Sequence, residues 1–177
     1  MAQAGLRMAM FLDARANPFT MVTMDTLSPL LRLFSLSAST FYAGPLCTVR
    51  EFDDDPDQSH FHLVLKGPIM ISDRLGRQQT VSEPTLVFLP RPSWHRLQVD
   101  DRDEAHVVCA NIRFGTEGRN LITRAMPDMV ALPLSQIPGG AGLVAWMVDE
   151  AFAEHPGRLA VLDRLCELLL VPVIRLY

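Results

Sequence analysis

The sequence predicts a mainly β fold with C-terminal helices, an antiparallel β-barrel followed by an antiparallel helical hairpin. Three observations predict it. Between Ser39 and Phe114, seven or eight short apolar runs are divided by Gly, Pro and Asp turn signals, with no helical stretch between them. After Pro138, apolar residues recur at helical spacing in two stretches separated by Pro156-Gly157. The chain has 177 residues, 49% of them hydrophobic, which is enough to bury one core.

The elements follow in order. Residues 1–23 read as a disordered leader, and the four methionines within 8–24 leave the start of the folded part open. "DTLSPLLRLFSL" reads as a short helix capped by Asp25 or Thr26, with Leu27, Leu30, Leu31 and Phe34 on one face. Strands are then expected at "TFYAG", "LCTVREF", "HFHLVLKG", "IMISD", "QTV", "TLVFL", "HRLQV" and "EAHVVCANIRF". The acidic "DDDPDQS" loop reads as a solvated turn. These strands and the first helix make up a barrel domain over 24–135, and a helical hairpin fills 136–177. The last helix carries Leu162, Leu165, Cys166 and Leu169 on one face, and Pro172 is expected to kink or end it. It is apolar around most of its circumference, and that surplus points to a partner surface.

Charge and composition exclude several function classes. The formal net charge is -4 and the basic residues form no stripe, which argues against direct DNA contact by this chain. Cys47, Cys109 and Cys166 are odd in number and far apart, which fits reduced thiols in a cytoplasmic protein rather than a disulfide framework. The apolar run "LLLVPVI" is far shorter than the ~20 residues of a bilayer span, so no membrane partner is expected.

The stretch "SHFHLVLKG" carries the most chemistry. Strand side chains alternate, so His60, His62, Val64 and Lys66 share one face while Phe61, Leu63 and Leu65 share the other. The second face is built for packing. The first either meets solvent or lines a polar cavity, because an unpaired buried lysine is costly. A second informative stretch, "EPTLVFLPRPSWHRL", runs a buried strand into a proline-rich turn and delivers Trp94 and His95 to the next strand. Imidazole and thiolate from His62, His95 and Cys109, with His60 as a fourth ligand, would suit zinc or another divalent metal. Lys66 on the same face opposes such a cation.

Together these stretches resemble the two half-motifs of the cupin barrel, a jelly roll. There the first motif reads HxH followed by a Glu, and the second reads Gly, five residues, Pro-x-Gly, two residues, His. His60 and His62 match the first pair, Pro90 the proline and His95 the last histidine; Lys66 stands where the Glu belongs, and Pro84 and Pro92 replace the glycines. Across 24–177 the order of helix, "FHLVLKG", "LVFLPRPSWHRL", "VCANIRF" and two closing helices resembles the N-terminal cupin-type sensor domain of AraC-type bacterial transcription regulators.

That resemblance implies a small-molecule effector, polar or anionic and hydroxylated, held by His62, Val64, Lys66, His95, Leu97, Cys109 and Asn111. It implies a homodimer through Leu162, Leu165 and Leu169, and DNA contact only through a helix-turn-helix part outside this chain. It implies no catalytic residue and no obligatory cofactor. The alternative is a stand-alone metal-dependent cupin enzyme, or a metal-sensing cupin, using His60, His62 and His95.

Overall fold

A computed structural model describes residues 25–100, 103–115 and 120–177; the leader expected over 1–23 lies outside them. Helix α1, Leu27–Phe34, is capped by Asp25, whose carboxylate accepts from the backbone N–H of Ser28 at 3.0 Å and from its hydroxyl at 2.5 Å. Those bonds hold the Asp25 carboxyl below its ordinary range. Thr26, the other candidate, makes no side-chain cap.

Nine strands follow among the described residues: β1 Ser37–Leu46, β2 Val49–Phe52, β3 Ser59–Lys66, β4 Ile69–Asp73, β5 Gln78–Val81, β6 Thr85–Leu89, β7 His95–Gln98, β8 Ala105–Arg113 and β9 Val130–Pro133. They form two antiparallel sheets, ordered β1-β8-β3-β6-β9 and β2-β7-β4-β5. Every expected strand is present. Three elements are additional: α2, Leu121–Ala125, β9, which pairs with β6 at the sheet edge, and a 3-10 turn, Leu134–Gln136.

Side-chain alternation divides the larger sheet into two faces. Its inner face, with Val64, Val87, Leu89, Val107 and Cys109, meets Ile69, Ile71 and Leu97 of the smaller sheet. Its outer face, with Phe61, Leu63, Leu86, Phe88 and Val108, packs against the C-terminal helices. Strand β6 is covered on both sides, which explains why "TLVFL" is continuously apolar and wholly buried. Between β3 and β4 the backbone doubles back at Gly67, where a Cβ would lie 2.7 Å from the carbonyl oxygen of Val81.

The closing helices are α3, Gly140–Phe152, and α4, Arg158–Ile174, packed together as a hairpin. The turn between them ends at Gly157, with φ +82°, a conformation only glycine adopts without strain. Helix α4 continues through Pro172 to Ile174. Its carboxylates blunt the exposed edge of β1: Asp163 accepts from the N–H of Thr40 at 2.6 Å and Glu167 from that of Ala38 at 3.0 Å.

One expectation fails here. Leu162, Leu165 and Leu169 do not form an outward dimerisation face; each is 0–1% exposed and packed into the core under the larger sheet. That sheet's apolar outer face, with Phe61, Leu63 and Phe88, takes up the surplus the sequence assigned to a partner. On the two hairpin helices, the large apolar residues left exposed are Trp146, Val148 and Phe152 on α3 and Leu159 and Leu168 on α4.

Candidate functional site

The site is built where β3, β7, β8 and β2 face one another. In β3, His62 lies opposite Cys109 of β8 and Val87 of β6, and His60 opposite Asn111. In the other sheet Phe52 of β2 pairs with His95 of β7. The inward face of β3 is therefore brought against the start of β7, and His62 and His95 meet Nε2 to Nε2 at 2.7 Å.

The proton in this contact can be placed. Nδ1 of His95 lies 2.9 Å from the carbonyl oxygen of Ser93. A carbonyl only accepts, so Nδ1 carries the hydrogen and Nε2 of neutral His95 is a bare lone pair. His62 must then donate from its Nε2, which leaves its own Nδ1 bare. That atom is buried and has no hydrogen-bond partner among the described residues, and neither has Nδ1 of His60. Burial keeps the group neutral. It holds His62 well below its ordinary value, with the neighbouring charges of His95, His60 and Arg50 acting in the same direction. Burial brings His95 down to about 4, only partly offset by the Ser93 carbonyl, and also lowers His60.

Phe52 completes the cluster. Its ring centroid lies 4.8 Å from that of His95, stacked at 5°, 4.7 Å from His62 and 5.6 Å from His60. The aromatic ring thus lies against all three imidazoles. Arg50, two residues earlier on the same strand, shares its inward face. Its guanidinium carbon stands 4.5 Å from the centre of the Tyr42 ring and 5.9 Å from that of Phe52. Among the described residues no carboxylate pairs with it.

The expected ligand set is thus partly assembled. His62, Val64, His95, Leu97 and Cys109 share the buried interior, each 0% exposed. Asn111 is half-buried at a shallow recess that it shares with His60, Phe41 and Phe52. Lys66 is not among them. The pairing of β3 with β8 shifts between Val64 and Lys66, the strict alternation ends there, and the Lys66 ammonium lies outside, 3.6 Å from Glu104. Arg50 is the cation that faces inward. Sequence reasoning missed it and Phe52, although "VREF" read as a strand puts both on one face.

The metal set is not assembled either. Two Nε2 ligands on one zinc stand about 3.3 Å apart, each offering a lone pair, given Zn–N distances near 2.0–2.1 Å. Here they share one proton at 2.7 Å, and Phe52 covers both rings. Burial pushes the Cys109 thiol up to about 12, which keeps it protonated. Among the described residues no group of three or more His, Cys, Asp or Glu is arranged to hold a metal ion. The set His60, His62, His95 and Cys109 does not fit a divalent cation as it stands.

One opening lies at the end of the barrel. A cleft of about 750 Å³ lies between Asp54 of the β2–β3 loop, the β4–β5 turn, the β6–β7 connection and residues 127–129, with His95 in its lining. Its walls include Ile71, Leu89, Trp94 and Met129, and Arg74, Arg77 and Arg91 stand beside Asp54, Asp73 and Asp128 around them.

Comparison with known proteins adds the following. A family model described as Cupin matches residues 25–177. No curated protein matches the chain. Among solved structures, ToxT from Vibrio cholerae is similar with a TM-score of 0.47 at 10% identity, over 80% of this chain and 57% of that one. Wild-type ToxT from strain SCE256 with a bound unsaturated fatty acid gives 0.38 at 14% identity, over 55% and 41%. The EutQ protein of Clostridium difficile gives 0.32 at 15% identity, over 45% and 68%. The chain spans little more than half the length of ToxT at most. Among the described residues no helix is long and apolar enough to cross a membrane.

Proposed function

The chain belongs to the cupin family, and from that premise we propose that it is a small-molecule sensor, the effector-binding and dimerisation domain of an AraC-type transcription regulator. One observation carries the reading. A cleft of a size suited to organic ligands has His95 in its lining, and His95 is hydrogen-bonded to His62 behind it in a neutral pair, with no metal set arranged among the described residues. The buried Cys109 thiol, held protonated, is no nucleophile either. The site is built to be occupied rather than to turn over.

An effector would act by population shift, which requires a higher affinity for one of two states. The wall at Met129 continues directly through β9 and the 3-10 turn Leu134–Gln136 into α3. A ligand pressing on that wall therefore bears on the helices. With Leu162, Leu165 and Leu169 buried, the homodimer surface moves to the outward side of α3, where Val148 and Phe152 are exposed. DNA contact belongs to a helix-turn-helix part outside this chain.

The alternative, a metal-dependent cupin enzyme or metal sensor on His60, His62 and His95, requires the 2.7 Å hydrogen bond to open and Phe52 to withdraw. The reading is tested by fluorescence. The chain has two tryptophans, so Trp146→Phe leaves Trp94 as the sole reporter in the cleft. A screen of small organic ligands is expected to yield a saturable change in Trp94 emission; a ligand that binds tightly without moving it would place the effector site elsewhere.

A further inference from the structure

We infer that the cleft at the barrel end is a site for a zwitterionic α-amino acid with a large apolar side chain, an assignment that rests on the sensor reading for its biological role but not for binding itself. The walls supply the apolar part. Ile71 and Leu89 are buried at the back, and Trp94 and Met129 stand half-buried at the sides. The rim supplies charge of both signs in equal number, Arg74, Arg77 and Arg91 against Asp54, Asp73 and Asp128.

The pairing within that rim is uneven. Arg74 is held by Asp54 at 2.9 Å and Arg77 by Asp73 at 2.5 Å. Asp128 alone is shared, at 2.6 Å from Arg91 and 3.4 Å from a second nitrogen of Arg77, with its side chain 64% exposed. An exposed ion pair of this kind contributes little, so a ligand group can take over one partner at small cost. A ligand carboxylate can accept from the guanidinium edges of Arg77 and Arg91 that now face Asp128. Asp128, released, can accept from an ammonium group on the same ligand.

Charge balance selects between ligand classes. A plain carboxylate adds an uncompensated negative charge beside three aspartates, and a plain amine adds a positive one beside three arginines. A zwitterion adds no net charge and satisfies both halves of the rim while its side chain lies along Trp94. Arg91 is itself fixed, since it donates to the carbonyls of Thr123 at 2.6 Å and Met126 at 2.8 Å. The carboxylate would therefore meet one guanidinium anchored by backbone carbonyls and one anchored by Asp73.

The experiment is isothermal titration calorimetry on the full chain with L-phenylalanine, L-leucine and L-methionine, against 3-phenylpropionate and 2-phenylethylamine. At least one amino acid is expected to bind saturably, with the two single-charge analogues weaker by about tenfold or more. Asp128→Asn and Arg77→Gln, both on exposed side chains, are each expected to weaken it by about tenfold, with unchanged far-ultraviolet circular dichroism. Equal affinity for 3-phenylpropionate and L-phenylalanine overturns the zwitterion assignment in favour of a plain anion site. Absence of heat with all three amino acids overturns it as well. If another organic molecule still moves Trp94 emission, the sensor reading survives that failure.

Discussion

His62 and His95 form a proton-sharing pair whose neutrality is enforced by burial, and this has a consequence for stability. Unfolded, each histidine takes up a proton near its ordinary value of 6.5; folded, His95 does so only at about 4, and burial likewise holds His62 well below its ordinary value. Between those values the unfolded chain binds more protons, so stability falls as pH drops from about 6.5 toward about 4, by at most about 1.4 kcal/mol per pH unit for each such histidine. Urea denaturation at pH 7 and pH 5 checks the sign, and His95→Gln is expected to flatten the slope. The histidines, and their face on β3, were legible because HxH on a strand admits one alternation. Lys66 was misread because a bulge after Val64 carries no sequence mark, and it breaks the parity that put the ammonium inside. Arg50 was legible in principle, since an inward Phe52 two residues later forces it to the same face.

At the scale of elements, the position of α4 is decided by the sheet beneath it. Leu162, Leu165 and Leu169 fill the space over Phe61, Leu63 and Phe88, and Asp163 and Glu167 occupy the N–H groups at the edge of β1. Leu165→Ala should therefore cost about 2–5 kcal/mol in chemical denaturation and leave the oligomeric state unchanged. A loss of dimer without loss of stability would return Leu165 to an interface. Eight strands and three helices were legible from alternation, helical spacing and turn residues. Strand β9 and helix α2 were not. "VALP" is four residues long and ends in proline, and "LITRA" is barely one turn, so neither pattern has room to repeat. The helical spacing of the leucines identified a buried face without identifying what buries it.

The whole molecule is a two-sheet barrel with a helical hairpin fused to one outer face, a ligand-sized cleft at one end, and an apolar strip left on α3. If that strip is the dimer surface, Val148→Glu or Phe152→Glu should give monomers in light scattering at unchanged thermal stability; a persistent dimer would send the interface to Leu159 and Leu168 on α4. The family was legible from motif order, because His60, His62, Pro90 and His95 hold their places even where the motif's carboxylate and glycines are gone. The effector was not legible, because the residues that line the cleft come from the β2–β3 loop at Asp54, β4–β5, the β6–β7 turn and 127–129, four segments that only the fold brings together. The sensor reading stands or falls with the chemistry of the histidine cluster, and elemental analysis of protein purified without an affinity tag or chelator tests it most directly. The account predicts iron, manganese and zinc far below one equivalent per chain. One equivalent of any of them, lost on replacing His62 or His95, would contradict it.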